Sequence, residues 1–400
     1  MTSKRKRHAR LAISAIFLVN GMVLATWVSR IPTITETLDL GSGATGTALM
    51  AIAAGSMIAF PIVGRLLLRR SSASMTIVFA LILAAALPGA ALAPSIFVLI
   101  PALLLLGFGN GGMDVAMNSQ GVEVESAAGI NIMSSLHGFY SLGAFAGAGI
   151  GAGAAAIGIS PILHFSIITL VGLSTILSVR NWLVPDAPTG HQHHDQAPAF
   201  AIPPRALWLL GLVAFSAAVC EGAIADWGGL YLKNELGTSA GFAALGFASF
   251  QLAMLIGRFA GDGMVRKFGP VSIVRRGGLI ASVGLGIAII IGLPVPTLIG
   301  FMAAGLGLAT AYPLAMSAAG NFKGLPRGQS VASVATVGYT GFLAGAPVLG
   351  WVAEITSLTV TMGVVTLLCL LVAVFANATR DAGVGHADDP AIALGAQPAE

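Results

Sequence analysis

The stretch "IFVLIPALLLLGFGNGGMDVAM", residues 96–117, decides the fold because part of it returns later in the chain. "GLGLATAYPLAM", residues 305–316, carries the same glycine spacing, and Gly107 and Gly109 fall on Gly305 and Gly307. At nearly the same offset "SLGAFAG" at 141–147 meets "TGFLAG" at 340–345, matching Gly143 with Gly341 and Gly147 with Gly345. "GRLLLRRSS" from Gly64 meets "GDGMVRKFG" from Gly261, and "ATWVSR" from Ala25 meets "ADWGGL" from Ala225. Four matches in one sequential order mean that the chain is written twice.

Composition says what is written. Of 400 residues, 56% are hydrophobic and 9% charged, with mean hydropathy +0.89, whereas soluble domains are about 25% charged. The unit to count is therefore the apolar run of ~20 residues that crosses ~30 Å of hydrocarbon. Twelve such runs fit, from 11–30 through 296–320 to 358–378. A barrel would show alternating ~10-residue segments, and nothing here alternates over long stretches. The expected fold is an all-α membrane protein of twelve transmembrane helices in two pseudo-symmetric six-helix halves. The halves are residues 1–183 and 205–380, joined by a linker at 184–204, with a disordered tail at 381–400.

Lys and Arg set the orientation, since basic loops stay on the cytoplasmic side. With both termini inside, all of the 20 Lys and Arg except Arg30 and Lys233 collect on inner segments. The basic excess thus reports topology and does not call for nucleic acid. The start, "KRKRHAR" before an apolar run, has the look of a signal peptide, but Trp27 and Arg30 stand where small cleavage-site residues belong, so it reads as a retained first helix. Cys220 and Cys369 sit inside spans and suggest neither a disulfide framework nor a metal site. "HQHHD" at 191–195 has metal-ligand types without matching ligands at fixed spacing. No G-x-x-x-x-G-K-[ST] loop is present, which argues against an ATP-driven pump. No cofactor is expected, and the expected state is a monomer in the lipid bilayer whose partners are a small-molecule substrate and protons.

The twelve-span, twofold plan resembles the major facilitator superfamily. The signature after its second helix, Gly-x-x-x-Asp-Arg-x-Gly, is kept at Gly64 and Arg69 but broken at Leu68 and Ser71. More closely, "GGMDVAMNSQGVEVE", "SSLHGFYSLGAFAG", "CEGAIADW" and "GRFAGD" resemble the MosC/YbjJ-like branch of bacterial inner-membrane proteins, related to the fucose-proton symporters. The resemblance implies a bacterial inner-membrane carrier with a substrate site near the midplane, between halves that rock around it. It also places Asp114 and Asn118 at the symporters' acid-x-Ala-x-Asn positions, with Ser119 where a Pro commonly follows.

Intramembrane polar residues mark function because a charge in hydrocarbon costs about 2.5–3.5 kcal/mol on insertion scales. Asp114 is the clearest, as a proton carrier, a substrate ligand, or a structural acid bonded to Asn118 one turn on. His137 and Ser141 share a face of the fifth span beside Tyr140, where His137 would carry a proton or bind a hydroxyl. The stripe Gly143, Gly147 and Gly151 permits close helix contact. Glu221 stands ~24 Å along from Arg205 at 1.5 Å per residue. With Trp227 it suits a polar ring, the carboxylate accepting hydroxyl hydrogens and the indole covering an apolar face. Asn20, Trp27, Asn118, Gln251, Tyr312 and Tyr339 complete the expected substrate set. Arg30 and Asp226 lie at matching depths of ~30 and ~31 Å and are expected to pair as an outer gate. No nucleophile triad or metal cluster accompanies His137, so the chain does not read as an enzyme. The leading reading is proton-coupled symport of a small polar ring compound, a sugar or cyclitol. The alternative is a proton-coupled exporter of drugs or metabolites, and a transporter-derived sensor or membrane enzyme ranks below both.

Overall fold

A computed structural model describes residues 3–128, 132–184, 202–325 and 327–382. Most of the 184–204 linker, with "HQHHD", and nearly all of the 381–400 tail lie outside the described residues. Twelve segments are long and apolar enough to cross a membrane, and no strand occurs among the described residues. The first six are α1 (Ser3–Thr37), α2 (Ser42–Leu67), α3 (Ser72–Ala91), α4 (Ile96–Ala128), α5 (Met133–Ala156) and α6 (Pro161–Val179). The second six comprise α7 (Trp208–Leu230), α8 (Ala240–Phe268), α9 (Pro270–Ile291), α10 (Pro294–Leu308) with α11 (Ala311–Gly320), α12 (Arg327–Ile355) and α13 (Leu358–Val374).

Helix is what this composition dictates, because hydrocarbon offers no partner for a free backbone N–H or C=O. Where helices begin, serine hydroxyls accept from an N–H three residues on: Ser71, Ser160, Ser239 and Ser357 cap α3, α6, α8 and α13. Two of the spans bounded above depart from expectation. The first runs from Ser3 to Thr37 instead of 11–30, since the basic leader and "TITET" continue the helix beyond the apolar run. The tenth is broken between Leu308 and Ala311. Pro313 has no N–H for the carbonyl of Ala309 and its ring crowds that carbonyl, which ends one helix and starts another.

The repeat in the sequence is a repeat of contacts. A Cβ on Gly107 would stand 1.9 Å from the carbonyl oxygen of Ile52, and one on Gly305 would stand 2.3 Å from that of Phe250. Both members of the second pair lie 198 residues beyond those of the first. Likewise Gly143 faces the Leu18 carbonyl and Gly341 that of Phe215, each 197 or 198 residues on. Each glycine is there because two helix backbones touch, which only a missing side chain allows. The α5 stripe works this way, with Gly147 against the Met22 carbonyl and Gly151 against Ser29 of α1.

The halves meet along α5 with α8, α2 with α12, and α1 with α7. Their backbones meet on the side opposite the chain termini. A Cβ on Gly46 of α2 would come within 2.6 Å of the Ala346 carbonyl of α12, and one on Gly241 of α8 within 2.9 Å of Cα of Ala156.

Candidate functional site

A cavity of ≈ 790 Å³ lies between the halves. From the closed side it extends along α8 and α11 toward the termini side, as far as Val265 and Leu314. Its walls are largely apolar, with Leu24, Ile52, Met57, Phe60, Phe247 and Phe342 among them.

Ten of the residues singled out from sequence line it: Asn20, Trp27, Asp114, His137, Tyr140, Glu221, Asp226, Gln251, Tyr312 and Tyr339. Helix geometry explains the choice on α1, where Asn20, Leu24, Trp27 and Val28 form one stripe. Asp114 and Tyr312 are repeat mates, 198 residues apart, and both face the cavity. The acid therefore belongs to one half and a phenol takes its place in the other. Tyr339 also stacks obliquely on Phe60 across the halves, centroids 5.1 Å apart, and His137 meets Phe17 edge-on at 5.4 Å.

Three substrate candidates fall outside the wall. Asn118 does not line the cavity; its Nδ2 donates to Asp114 Oδ1 at 3.0 Å and to the Asp114 carbonyl at 2.8 Å. It orients the acid. Ser141 is fully buried, and its Oγ accepts from Arg258 Nη1 at 2.8 Å. Trp227 is fully buried beside Gly350 of α12, because six residues from Glu221 rotate a side chain by ~240° at 3.6 residues per turn. Of the two expected indoles, Trp27 lines the cavity.

The expected outer gate is corrected too. Arg30 and Asp226 form no ion pair. Arg30 falls off the α1 stripe, lies 2% exposed, and donates through Nη2 to the carbonyl of Ile159, in the turn between α5 and α6. Asp226 faces the cavity. The ion pair that joins the same two spans lies farther out, where Lys233, just past α7, contacts Glu36 of α1.

Arg258 was missed. It was counted with the inner basic residues, yet it lines the cavity from α8, with Nη2 3.7 Å from Glu221 Oε1. The signal was present: eight residues before Arg266, inside an apolar span, a base is as costly as an acid. Asn110, one turn before Asp114, also lines the wall.

Several buried polar atoms here have no protein partner. They are Asn20 Nδ2 and Trp27 Nε1, both donors, and Asn110 Oδ1 and Gln251 Oε1, both acceptors. Unsatisfied groups are costly when buried, and these four belong to residues of the cavity wall. Among the described residues no group of His, Cys, Asp or Glu is arranged to hold a metal ion.

No family model matches the chain. An MFS-type transporter of Yersinia pestis is 32% identical over 362 residues, 90% of this chain and 93% of that one. The membrane protein MosC of Rhizobium meliloti is 30% identical, covering 89% and 86%. Among solved structures, the nucleoside transporter NupG superposes with TM-score 0.74 at 13% identity, over 93% of this chain and 99% of that one. The Escherichia coli fucose:proton symporter FucP gives 0.63 at 18%, over 92% and 98%. At such identities the structural likeness speaks for the fold alone.

Proposed function

The chain belongs to the major facilitator superfamily of transporters, and from that premise we propose that it is a secondary active transporter carrying a small polar ring compound, a sugar or cyclitol, together with protons by alternating access. The observation that carries this reading is the set of unpartnered atoms in the cavity wall. Donors on Asn20 and Trp27 and acceptors on Asn110 and Gln251 match hydroxyls, which donate and accept at once. The apolar remainder of the wall suits the faces of a ring. Asp114 is the proposed proton carrier: alternating exposure lets a carboxyl take a proton on one side and release it on the other. The FucP likeness, being to a proton symporter, is consistent with that role without extending to substrate. The proposed setting is a bacterial inner membrane with both termini cytoplasmic, so that the closed end of the cavity faces outward.

The apolar walls favour a second reading, proton-coupled export of hydrophobic drugs or metabolites. A thermal-shift screen of the purified protein separates the two, because a ligand that binds only the folded state raises its apparent stability by mass action. The symport reading expects stabilisation by sugars or cyclitols at millimolar concentration. Stabilisation by hydrophobic cations alone would replace it with the export reading.

A further inference from the structure

We propose that Arg258 is the clasp that holds the two halves together at mid-cavity and that Glu221 sets its tension. Nη1 donates to Ser141 Oγ of α5, in the first half, at 2.8 Å. Nη2 reaches Glu221 Oε1 of α7, in the second half, at 3.7 Å. The first contact is a well-formed hydrogen bond between halves, and the second is a loose ion pair. Arg258 and Glu221 are each about one quarter exposed to the cavity, so whatever enters reaches both. Ser141 is fully buried and outside the wall, so it touches the clasp without touching cargo.

The arrangement converts occupancy into closure. A ligand hydroxyl that engages the Glu221 carboxylate competes with its attraction for Arg258. The guanidinium is then left with Ser141 alone, and that hydrogen bond keeps α8 on α5, whose contact seals the closed side. With the cavity empty, Glu221 pulls the other way. Lysine cannot replace this function, because a single ammonium lacks the rigid fork that addresses two partners at once.

This role rests on the alternating-access reading, but its test needs no substrate. Nitroxide labels at Thr37→Cys and Asn234→Cys would report the separation of the halves on the closed side; both positions are exposed, and native Cys220 and Cys369 are fully buried. In lipid nanodiscs without ligand, Ser141→Ala and Arg258→Lys should each lower the ratio of short- to long-distance populations about fivefold, the change expected for one hydrogen bond. The double variant should match the singles, since both remove the same contact. Glu221→Gln should raise the ratio, which a merely structural role would not do. Unchanged distances in Ser141→Ala and Arg258→Lys, in protein with wild-type thermal stability, would overturn the clasp even if a polyol binds. Should every polyol fail to bind while the distances shift as stated, the clasp stands and the substrate reading falls.

Discussion

Glu354 Oε2, at the end of α12, accepts a hydrogen bond of 3.0 Å from the backbone N–H of Gly43, at the start of α2 in the opposite half. The residue in the cap position of α2 is Gly41, which brings no side chain. The α2 N-terminus therefore takes its cap from across the domain boundary, and a carboxylate there also meets the positive end of the helix dipole. The contact lies on the closed side of the cavity, and opening that side requires breaking it.

Glu354→Ala should shift the protein toward the state open on that side. Loss of a cap costs about 0.5–2 kcal/mol, so the closed-to-open ratio should fall by roughly 2- to 30-fold. The readout is modification of a Val28→Cys reporter in the cavity wall by an impermeant thiol reagent added from the side opposite the termini. Equal labelling rates with and without Glu354 would reduce the contact to local helix capping.

Asp114→Asn should abolish accumulation driven by an imposed pH difference in proteoliposomes while leaving substrate exchange, which needs no net proton movement. Accumulation that persists in the variant would pass the proton role to Glu221 or His137. Asn118→Ala frees the Asp114 carboxyl from its tether, and a partial loss of accumulation is expected, smaller than for Asp114→Asn.

Arg30→Met should leave thermal stability unchanged or raise it. The substitution loses one bond to the Ile159 carbonyl, but it also removes a buried guanidinium whose Nε and Nη1 have no partner among the described residues. Replacing a poorly compensated buried charge with an apolar side chain is often neutral or stabilising. The swap Arg30→Asp with Asp226→Arg should restore nothing, and mutual rescue in labelling would revive the gate that the structure does not form.

Gly107→Ala and Gly305→Ala should both be destabilising by about 1–3 kcal/mol, the range for overpacking, because each added methyl would meet a carbonyl oxygen at 1.9 or 2.3 Å. Gly149→Ala, with nothing within 4 Å of its Cβ, is the control and should leave the melting temperature within error. A Gly305 variant as stable as the control would mean that the helices separate at no cost there.

What the sequence showed and what it concealed follow from the kind of signal involved. Span number, the twofold plan and the glycine contacts rest on composition and one-dimensional spacing, and Gly107, Gly143 and their mates state them outright. That Asp114, Glu221 and Gln251 face a cavity followed from their cost in hydrocarbon. Direction around a helix did not, and so Trp227 and Ser141 were assigned to the wall although they lie behind it. Arg30 was matched to Asp226 by depth, but depth leaves rotation open, and Arg30 turns to its own half. Arg258 was hidden by its neighbours: close to Arg266 and Lys267 in sequence, it passed for one more loop base. The break before Pro313 was not legible from the proline alone, because Pro32, Pro61, Pro88, Pro101 and Pro347 lie inside helices that continue past them.

The paired glycine contacts have a consequence for how such a carrier changes its cargo. Gly107 with Ile52 and Gly305 with Phe250 keep the same backbone meeting in both halves, while a few residues along, Asp114 and Tyr312 have become chemically unlike. The duplicated scaffold is held where backbones touch and leave no room for a side chain, whereas the unlike pair stands in the cavity wall. A lineage can therefore rewrite its diet one wall residue at a time without reopening the question of how the helices fit. It is the wall, and not the glycines, that a search for relatives with the same appetite should compare.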